Sequence, residues 1–285
     1  MNTESLDIHL ANMFQGPAIA IALHQRGISC AIYEMRPANY HIGGSLVLTP
    51  NALRVLDQLG VYEKIRVKGF EHDGVAFYNP NYPRGGVFGT LILGSKERYG
   101  YPALRLYRDM LRQALLDEAH RRGVKFHWNM RCISVENETS QSATVIFENG
   151  EKVTADLVIG ADGINSRVRQ YIAPHTAPQF TGQLCIIGFA KKAALKNQQG
   201  LEVPRMYLGK AMAFGVMLAI ATHEDILFFS TMQSKDRTRE EWQALDADKE
   251  GLKAMLQGVV PGDEWPPIVH ELVTSTPKET YFIWP

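Results

Sequence analysis

DLVIGADGINSRVR, residues 156–169, is the stretch whose reading decides the fold. The apolar run Leu157-Val158-Ile159 reads as a short buried strand. It delivers Asp162 and Gly163 to its C-terminal edge. Gly163 permits close backbone approach, and a helix opening near Ser166 points its free N–H groups at an anion. Ser166 is a natural N-cap. Asp162 offers a carboxylate to sugar hydroxyls, and Arg167 and Arg169 offer partners to phosphate or to nearby acids. The competing reading is a helix-capping turn that holds no ligand. The joint spacing of Asp156, the apolar run, Asp162-Gly163, Ser166 and Arg169 argues against it.

A second strand-turn-helix lies upstream in GPAIAIALHQRGISCAIYEM, residues 16–35. Gly16 stands directly before Pro17 and a helix, in register to be the third glycine of a dinucleotide fingerprint. The first two positions fall on Ala11 and Met13, and the run before them, SLDIHL, is a weak strand. The helix should run from Pro17 to Arg26 and end at Gly27. The following β-prone run, Ile28–Met35, closes on Glu34, 18 residues after Gly16. That is close to the spacing at which an acid takes ribose hydroxyls. A solvated acid at a strand end is the equal alternative for Glu34 taken alone.

Further along, Pro50–Leu59 reads as a short helix stopped by Gly60. Gly74–Gly94 reads as short strands and turns. Leu104–Arg122 is the clearest helix, with Leu111, Ala114, Leu115 and Ala119 on one face and Gly123 as its stop. Asn149-Gly150 marks a hairpin. Strands alternating with helices before Phe180 imply an α/β, doubly wound parallel sheet. After Phe180 the β-prone runs Leu184–Phe189, Arg205–Leu208, Met212–Ala221 and Ile226–Met232 imply a separate, mostly antiparallel sheet. A charged helix should follow from about Arg239 to Gln257. Leu184–Phe189, Met206–Phe214 and Phe228–Met232 are candidates to line a pocket, with ordinary sheet core as the favoured alternative.

Composition sets outer bounds. The 285 residues carry 30 Lys plus Arg and 30 Asp plus Glu, so no global field draws nucleic acid or an acidic membrane. His120-Arg121-Arg122 ends a helix, where cations suit the dipole. Cys30, Cys132 and Cys185 lie far apart, with neither metal-ligand spacing nor a disulfide framework, and point to a reducing, cytoplasmic compartment. No signal peptide is expected in the opening MNTESLDIHLANMFQ, and no apolar run is long enough for a membrane span. No nucleophile triad or carboxylate pair has persuasive spacing. His223-Glu224-Asp225 reads as a solvated turn between strands.

Together these segments resemble the flavin-dependent aromatic-ring hydroxylases and monooxygenases of the p-hydroxybenzoate hydroxylase fold. GPAIAIALHQRGISCAIYEMRP, GGSLVLTPNALRVLDQLGVYEKI, LRLYRDMLRQALLDEA and DLVIGADGINSRVR carry the resemblance, the last most specifically. It implies a doubly wound FAD/NAD(P)-binding domain over residues 1–178, with a β excursion near 73–100, and a partial, mostly antiparallel substrate domain over 179–285. It also implies FAD as cofactor, NAD(P)H as electron donor, and O2-dependent hydroxylation of an aromatic or polyketide-like small molecule. By the same resemblance Gly16 opens the first cofactor helix and Glu34 holds the adenosine ribose. Gly43 and Gly44 lie against the cofactor, Arg108 reaches its ribityl and ring region, and Asp162 and Gly163 sit near its pyrophosphate. Two departures accompany it. Ala11 and Met13 replace glycines, and the family's third motif, a Gly-Asp pair followed by Ala, Pro and Gly, is not found before TYFIWP. Gly262-Asp263 is followed by Glu264-Trp265-Pro266 and does not match it. A non-catalytic member of the fold, or a flavin-dependent reductase, remains an alternative at this point.

Overall fold

The computed structural model describes residues 14–41, 43–79, 86–196, 198, 201, 204–209, 212–220, 222, 224–260 and 265–284. Ala11, Met13, the SLDIHL run, His223 and Gly262-Asp263 lie outside these residues. In chain order the first elements are α1 (Gln15–His24), β1 (Ala31–Glu34), β2 (Ser45–Leu48), α2 (Pro50–Gln58), α3 (Tyr62–Arg66), β3 (Phe70–His72), β4 (Gly74–Asn79), β5 (Gly86–Ile92), α4 (Lys96–Tyr99) and β6 (Ala103–Tyr107). Then come α5 (Arg108–Arg121), β7 (Lys125–Trp128), β8 (Cys132–Glu136), β9 (Ala143–Phe147), β10 (Lys152–Ala155), α6 (Arg167–Ile172) and β11 (Gln183–Lys191). The remainder is β12 (Arg205–Leu208), β13 (Met212–Leu218), β14 (Asp225–Gln233), α7 (Arg239–Ala247), α8 (Lys249–Val259), α9 (Pro267–Ser275) and β15 (Phe282–Trp284).

Two glycines stop their helices in the expected way. Gly27, at φ +74°, donates its N–H to His24 O, and Ile28 N–H reaches Leu23 O. Gly123, at φ +81°, repeats the pattern with His120 O and with Val124 bonded to Ala119 O. A left-handed residue lets the chain turn back and satisfy the last carbonyls, and a side chain there would be strained. The expected helix Arg239–Gln257 is instead two helices. Asp248 ends α7 and caps α8, its carboxylate accepting the Gly251 N–H at 2.9 Å.

The chain divides into two compact units. Unit 1 comprises residues 1–44, 55–65 and 108–179; unit 2 comprises residues 45–54, 66–107 and 180–285.

Unit 1 holds a parallel pair, β1 with β7, and an antiparallel sheet ordered β10-β9-β8. α1 packs on α5. A small core joins Ala31 and Tyr33 to Met130, Val145 and Phe147. The Tyr33 ring stacks on His127 at 4.5 Å and on Phe147 at 5.2 Å. The expected buried strand at Asp156–Gly160 is not found. The segment makes no ladder among the described residues, and Leu157 is 49% exposed. A parallel strand is buried only when neighbours pair on both its edges and helices cover its faces. Here Gly160 ties the segment down, because its bare Cα lies where a Cβ would stand 2.4 Å from the Val168 side chain of α6.

Unit 2 is built on a seven-stranded sheet ordered β15-β11-β14-β13-β12-β4-β5, antiparallel except for β12 beside β4. A three-stranded antiparallel sheet, β2-β6-β3, completes it. The two faces of the large sheet differ. One buries Leu184, Ile186, Phe214, Val216, Ile226 and Phe228 against helical residues such as Leu252, Leu256, Val269 and Leu272. Each such side chain contributes roughly 1.5–3 kcal/mol of burial. The alternate residues Ile187, Phe189 and Phe229 face the other way and are half-buried, around Met217, Ala219, Leu227 and Tyr107. The β-prone runs are therefore core on one face and a half-open apolar surface on the other, as period-two alternation requires.

Candidate functional site

Glu34 is the last residue of β1, opposite Trp128 of β7. It is 6% exposed. Its Oε1 accepts the Arg36 N–H at 2.8 Å, and the Met35 N–H also stabilises the carboxylate. Burial raises the carboxyl pKa, opposed by that hydrogen bond and by the charges of Arg36 and Arg112. A carboxylate at the end of a parallel strand stands where an acid takes a ribose hydroxyl.

The opening turn of α5 gathers the segment that follows Glu34. Arg108 donates its backbone N–H to Gly44 O at 3.0 Å, and Gly44 has φ +84°. The Arg108 side chain is half-buried, and burial lowers its pKa. Asp109 meets His41 Nδ1 at 3.0 Å. Arg112, one turn on, reaches back from Nη2 to Ala38 O at 2.9 Å. Arg108 through its backbone N–H and Arg112 through its guanidinium thus both bond to residues within 38–44. Arg112 is absent from the motif residues; the signal for it is its place one turn after Arg108 at the start of the same helix.

Asp162 and Gly163 behave differently. The Asp162 carboxylate accepts from Ser166 Oγ, from Arg167 N–H at 2.6 Å and from Val168 N–H at 3.4 Å. Ser166 Oγ in turn accepts the Arg169 N–H at 2.8 Å. Gly163 sits at φ +79°, its carbonyl accepting from Ser166 N–H at 3.1 Å. Arg169 donates to Ile164 O at 2.5 Å. Asp162 therefore spends its carboxylate on capping α6, the role of the competing reading. Arg167 and Arg169 turn to their own loop and helix rather than to acids.

Gly16 is buried in the first turn of α1, which opens at Phe14 with no side-chain cap. Uncapped N–H groups at a helix start are a fitting partner for an anion. The expected site residues thus sort into groups within unit 1. Gly44 and Arg108 are hydrogen-bonded, and Gly43 adjoins them. Glu34 is coupled to the same helix through the charge of Arg112. The Asp162–Gly163 turn bonds only to its own loop and to α6 among the described residues.

The cationic helix end is already engaged. Arg121, Arg122 and Lys64 all bind Glu118, at 2.5, 2.7 and 2.7 Å. The ring of charge holds the Glu118 carboxyl down at about 2. Burial pushes the Cys132 and Cys185 thiols up to about 11, so neither is a ready nucleophile. Among the described residues no group of three or more His, Cys, Asp or Glu is placed to hold a metal, and no helix is long and apolar enough to cross a membrane.

Residues 15–259 match the family described as FAD binding domain. The 3-hydroxybenzoate 6-hydroxylase of Polaromonas naphthalenivorans is 27% identical over 249 residues, covering 86% of this chain and 60% of that protein. The FAD-dependent monooxygenase pytG of Aspergillus terreus is 30% identical over 184 residues, covering 62% of this chain and 54% of that one. The chain therefore spans no more than 60% of the length of these two relatives. A crystal structure of Klebsiella pneumoniae HpxO complexed with FAD and uric acid superposes with a TM-score of 0.78 at 23% identity, covering 98% of this chain and 67% of that one. The α/β fold is that of these flavoproteins, and with more than four-fifths of its length inside the family match, the chain belongs to the FAD binding domain family.

Proposed function

We propose that the protein is an FAD-dependent monooxygenase that hydroxylates an aromatic or polyketide-like small molecule with NAD(P)H and O2. The fit to FAD rests on unit 1. Glu34 offers its carboxylate to the adenosine ribose. Gly43 and Gly44 let the backbone lie against the cofactor, and Arg108 stands beside them. Gly16, in the first turn of the uncapped α1, and Gly163, in the turn before α6, border the pyrophosphate. Asp162 acts by holding that turn in shape. Bound FAD supplies the redox chemistry, carrying electrons from NAD(P)H to O2 so that one oxygen atom enters the ring and the other leaves as water.

The single observation that carries the reading from cofactor to substrate is the half-open face of the large sheet in unit 2. Tyr107 lies 5.6 Å from Phe189, and Phe189 lies 6.2 Å from Phe282. Aromatic and aliphatic side chains there present flat, water-excluding surface suited to a planar ring. The Tyr107 hydroxyl donates to Asp225 Oδ2 at 2.7 Å, which fixes the phenol ring at the border of that surface. The two curated relatives named above carry hydroxylase and monooxygenase names, in keeping with this chemistry. The three unpaired, half-buried cysteines suit a reducing, cytoplasmic setting.

The test is a visible spectrum after desalting, with and without added FAD. The expected result is a yellow protein whose colour bleaches with NAD(P)H, followed by O2 consumption that an aromatic compound accelerates. A colourless protein that takes up no FAD would contradict the proposal.

A further inference from the structure

Helix α9 has two different faces. Ile268, Val269, Leu272 and Val273 are buried in the core against the large sheet. His270, Glu271, Thr274 and Ser275 belong to the outer stripe, and with Lys196 and Trp265 they line a cavity of about 690 Å³. That volume falls in the range of small-molecule sites. The half-open surface around Phe189 lies on the opposite face of the same sheet, so the cavity is a separate place in unit 2.

Its polar groups fall into two classes. The acid and the hydroxyls are engaged. The Glu271 carboxylate accepts the Lys196 backbone N–H. Thr274 Oγ1 donates to His270 O at 2.7 Å, and Ser275 Oγ donates to Glu271 O at 2.5 Å. The basic groups are not engaged. Lys196 is exposed, and among the described residues its ammonium has no ion pair. His270 Nε2 is enclosed without a hydrogen-bond partner. Trp265 is fixed beside them. It is 7% exposed, its ring stands where a Cβ on Gly209 would come within 2.6 Å, and it meets Phe214 edge-on at 6.4 Å.

We infer that this cavity is a second ligand site, for a flat molecule with an anionic group, whose charge is met by Lys196 and His270 and whose ring lies against Trp265. The acid of the cavity already has a partner and the bases do not, which sets the sign of the ligand. The indole gives it an apolar, planar neighbour. His270 is half-buried, and a turn of its ring opens Nε2 to the entering group. Because α9 and the Phe189 surface lie on opposite sides of the sheet, the occupant is not the molecule held on that surface. The site therefore stands or falls without the flavin chemistry proposed above.

The experiment titrates naphthalene-1-sulfonate and the neutral 1-naphthalenemethanol into the whole chain by calorimetry. The variants are Lys196→Met, Thr274→Phe and Phe189→Ala, with melting followed by circular dichroism. Lys196 and Thr274 are exposed, so their variants should melt close to the wild type. Ser275→Phe repeats the filling of the cavity if Thr274→Phe does not fold. The expected result is that the sulfonate binds the wild type saturably and loses about tenfold or more in affinity in Lys196→Met. The alcohol should bind Lys196→Met as it binds the wild type, and the filled variant should weaken both compounds. Phe189→Ala and saturating FAD should leave the sulfonate affinity unchanged. The inference is overturned if the sulfonate does not bind the wild type, or if Lys196→Met or the filled variant binds it unchanged. It is also overturned if Phe189→Ala or FAD removes the binding, because the sulfonate would then occupy the sheet surface or the cofactor's place.

Discussion

The two units bury their apolar residues in different ways. Unit 2 closes a continuous core, from Leu184 and Ile186 through Phe214 and Phe228 to Leu252, Val269 and Tyr281. Unit 1 has a parallel strand pair, a small three-stranded sheet with a cluster of five buried residues, and further buried side chains on its helices, such as Ile21, Ile65, Leu115 and Ala119. It leaves Leu157 49%, Ile164 70% and Ile172 74% exposed around the segment that sequence reading treats as most diagnostic. The difference lies in what each unit leaves open. Unit 2 joins its large sheet to its helices through one continuous apolar core. In unit 1 the residues richest in cofactor chemistry are held by caps and loop hydrogen bonds, and a bound ligand has the most to add there.

The comparison can be broken first at its strongest point. Phe228 is fully buried, stacked on Phe214 at 5.4 Å and edge-on to Tyr281 at 5.8 Å. Phe228→Ala should cost about 3–5 kcal/mol, seen in chemical denaturation. A loss below about 1 kcal/mol would show that unit 2 is not the packed half. The next effect belongs to the cap. Asp162→Ala removes the acceptor of three donors at the start of α6. It should cost about 1–2 kcal/mol and weaken FAD binding with it. Unchanged FAD affinity would detach this turn from the cofactor.

Acid provides a third test. The Glu118 carboxyl is held at about 2, below its ordinary value, by Arg121, Lys64 and Arg122. Its folded-state pKa lies below the unfolded one, so its contribution is complete above the unfolded value and is lost as pH falls towards about 2. Glu118→Gln should flatten that part of the acid-unfolding curve, read by circular dichroism. An identical curve would show that the charge cluster adds nothing. The smallest effect is expected at Leu157. Because it is half-exposed and unpaired in a ladder, Leu157→Ala should change stability by no more than about 0.5 kcal/mol without ligand. A loss of several kcal/mol would restore the buried strand.

Much of this was legible in the sequence. Glycine stops at Gly27 and Gly123 and the β-prone runs after Phe180 follow local rules, and the chain obeys them. Asp162-Gly163 and Ser166 were recognised as a unit, but their hydrogen bonds are to one another, and spacing does not reveal which partner a carboxylate chooses. The strand at 156–160 was misread because burial of a parallel strand depends on neighbours that its own sequence does not encode. Asp248 was missed as a break because Asp is tolerated within a helix and becomes a cap only when its carboxylate finds Gly251 N–H. Arg105 gave no signal because Leu104–Arg122 reads as one helix, whereas the chain is a strand, β6, through Tyr107 and turns helical only at Arg108; His72 lies just before the run read as strands. Only the pairing of β6 between β2 and β3 reveals that Arg105 is enclosed.

The central claim, that the cofactor completes unit 1 rather than unit 2, is tested most directly by hydrogen exchange with and without FAD. Protection should rise at residues 34–44, at the start of α5 and across 156–169, while β11, β13 and β14 exchange at unchanged, already slow rates. Protection that rises evenly over both units, or in β11, β13 and β14 alone, would contradict the account.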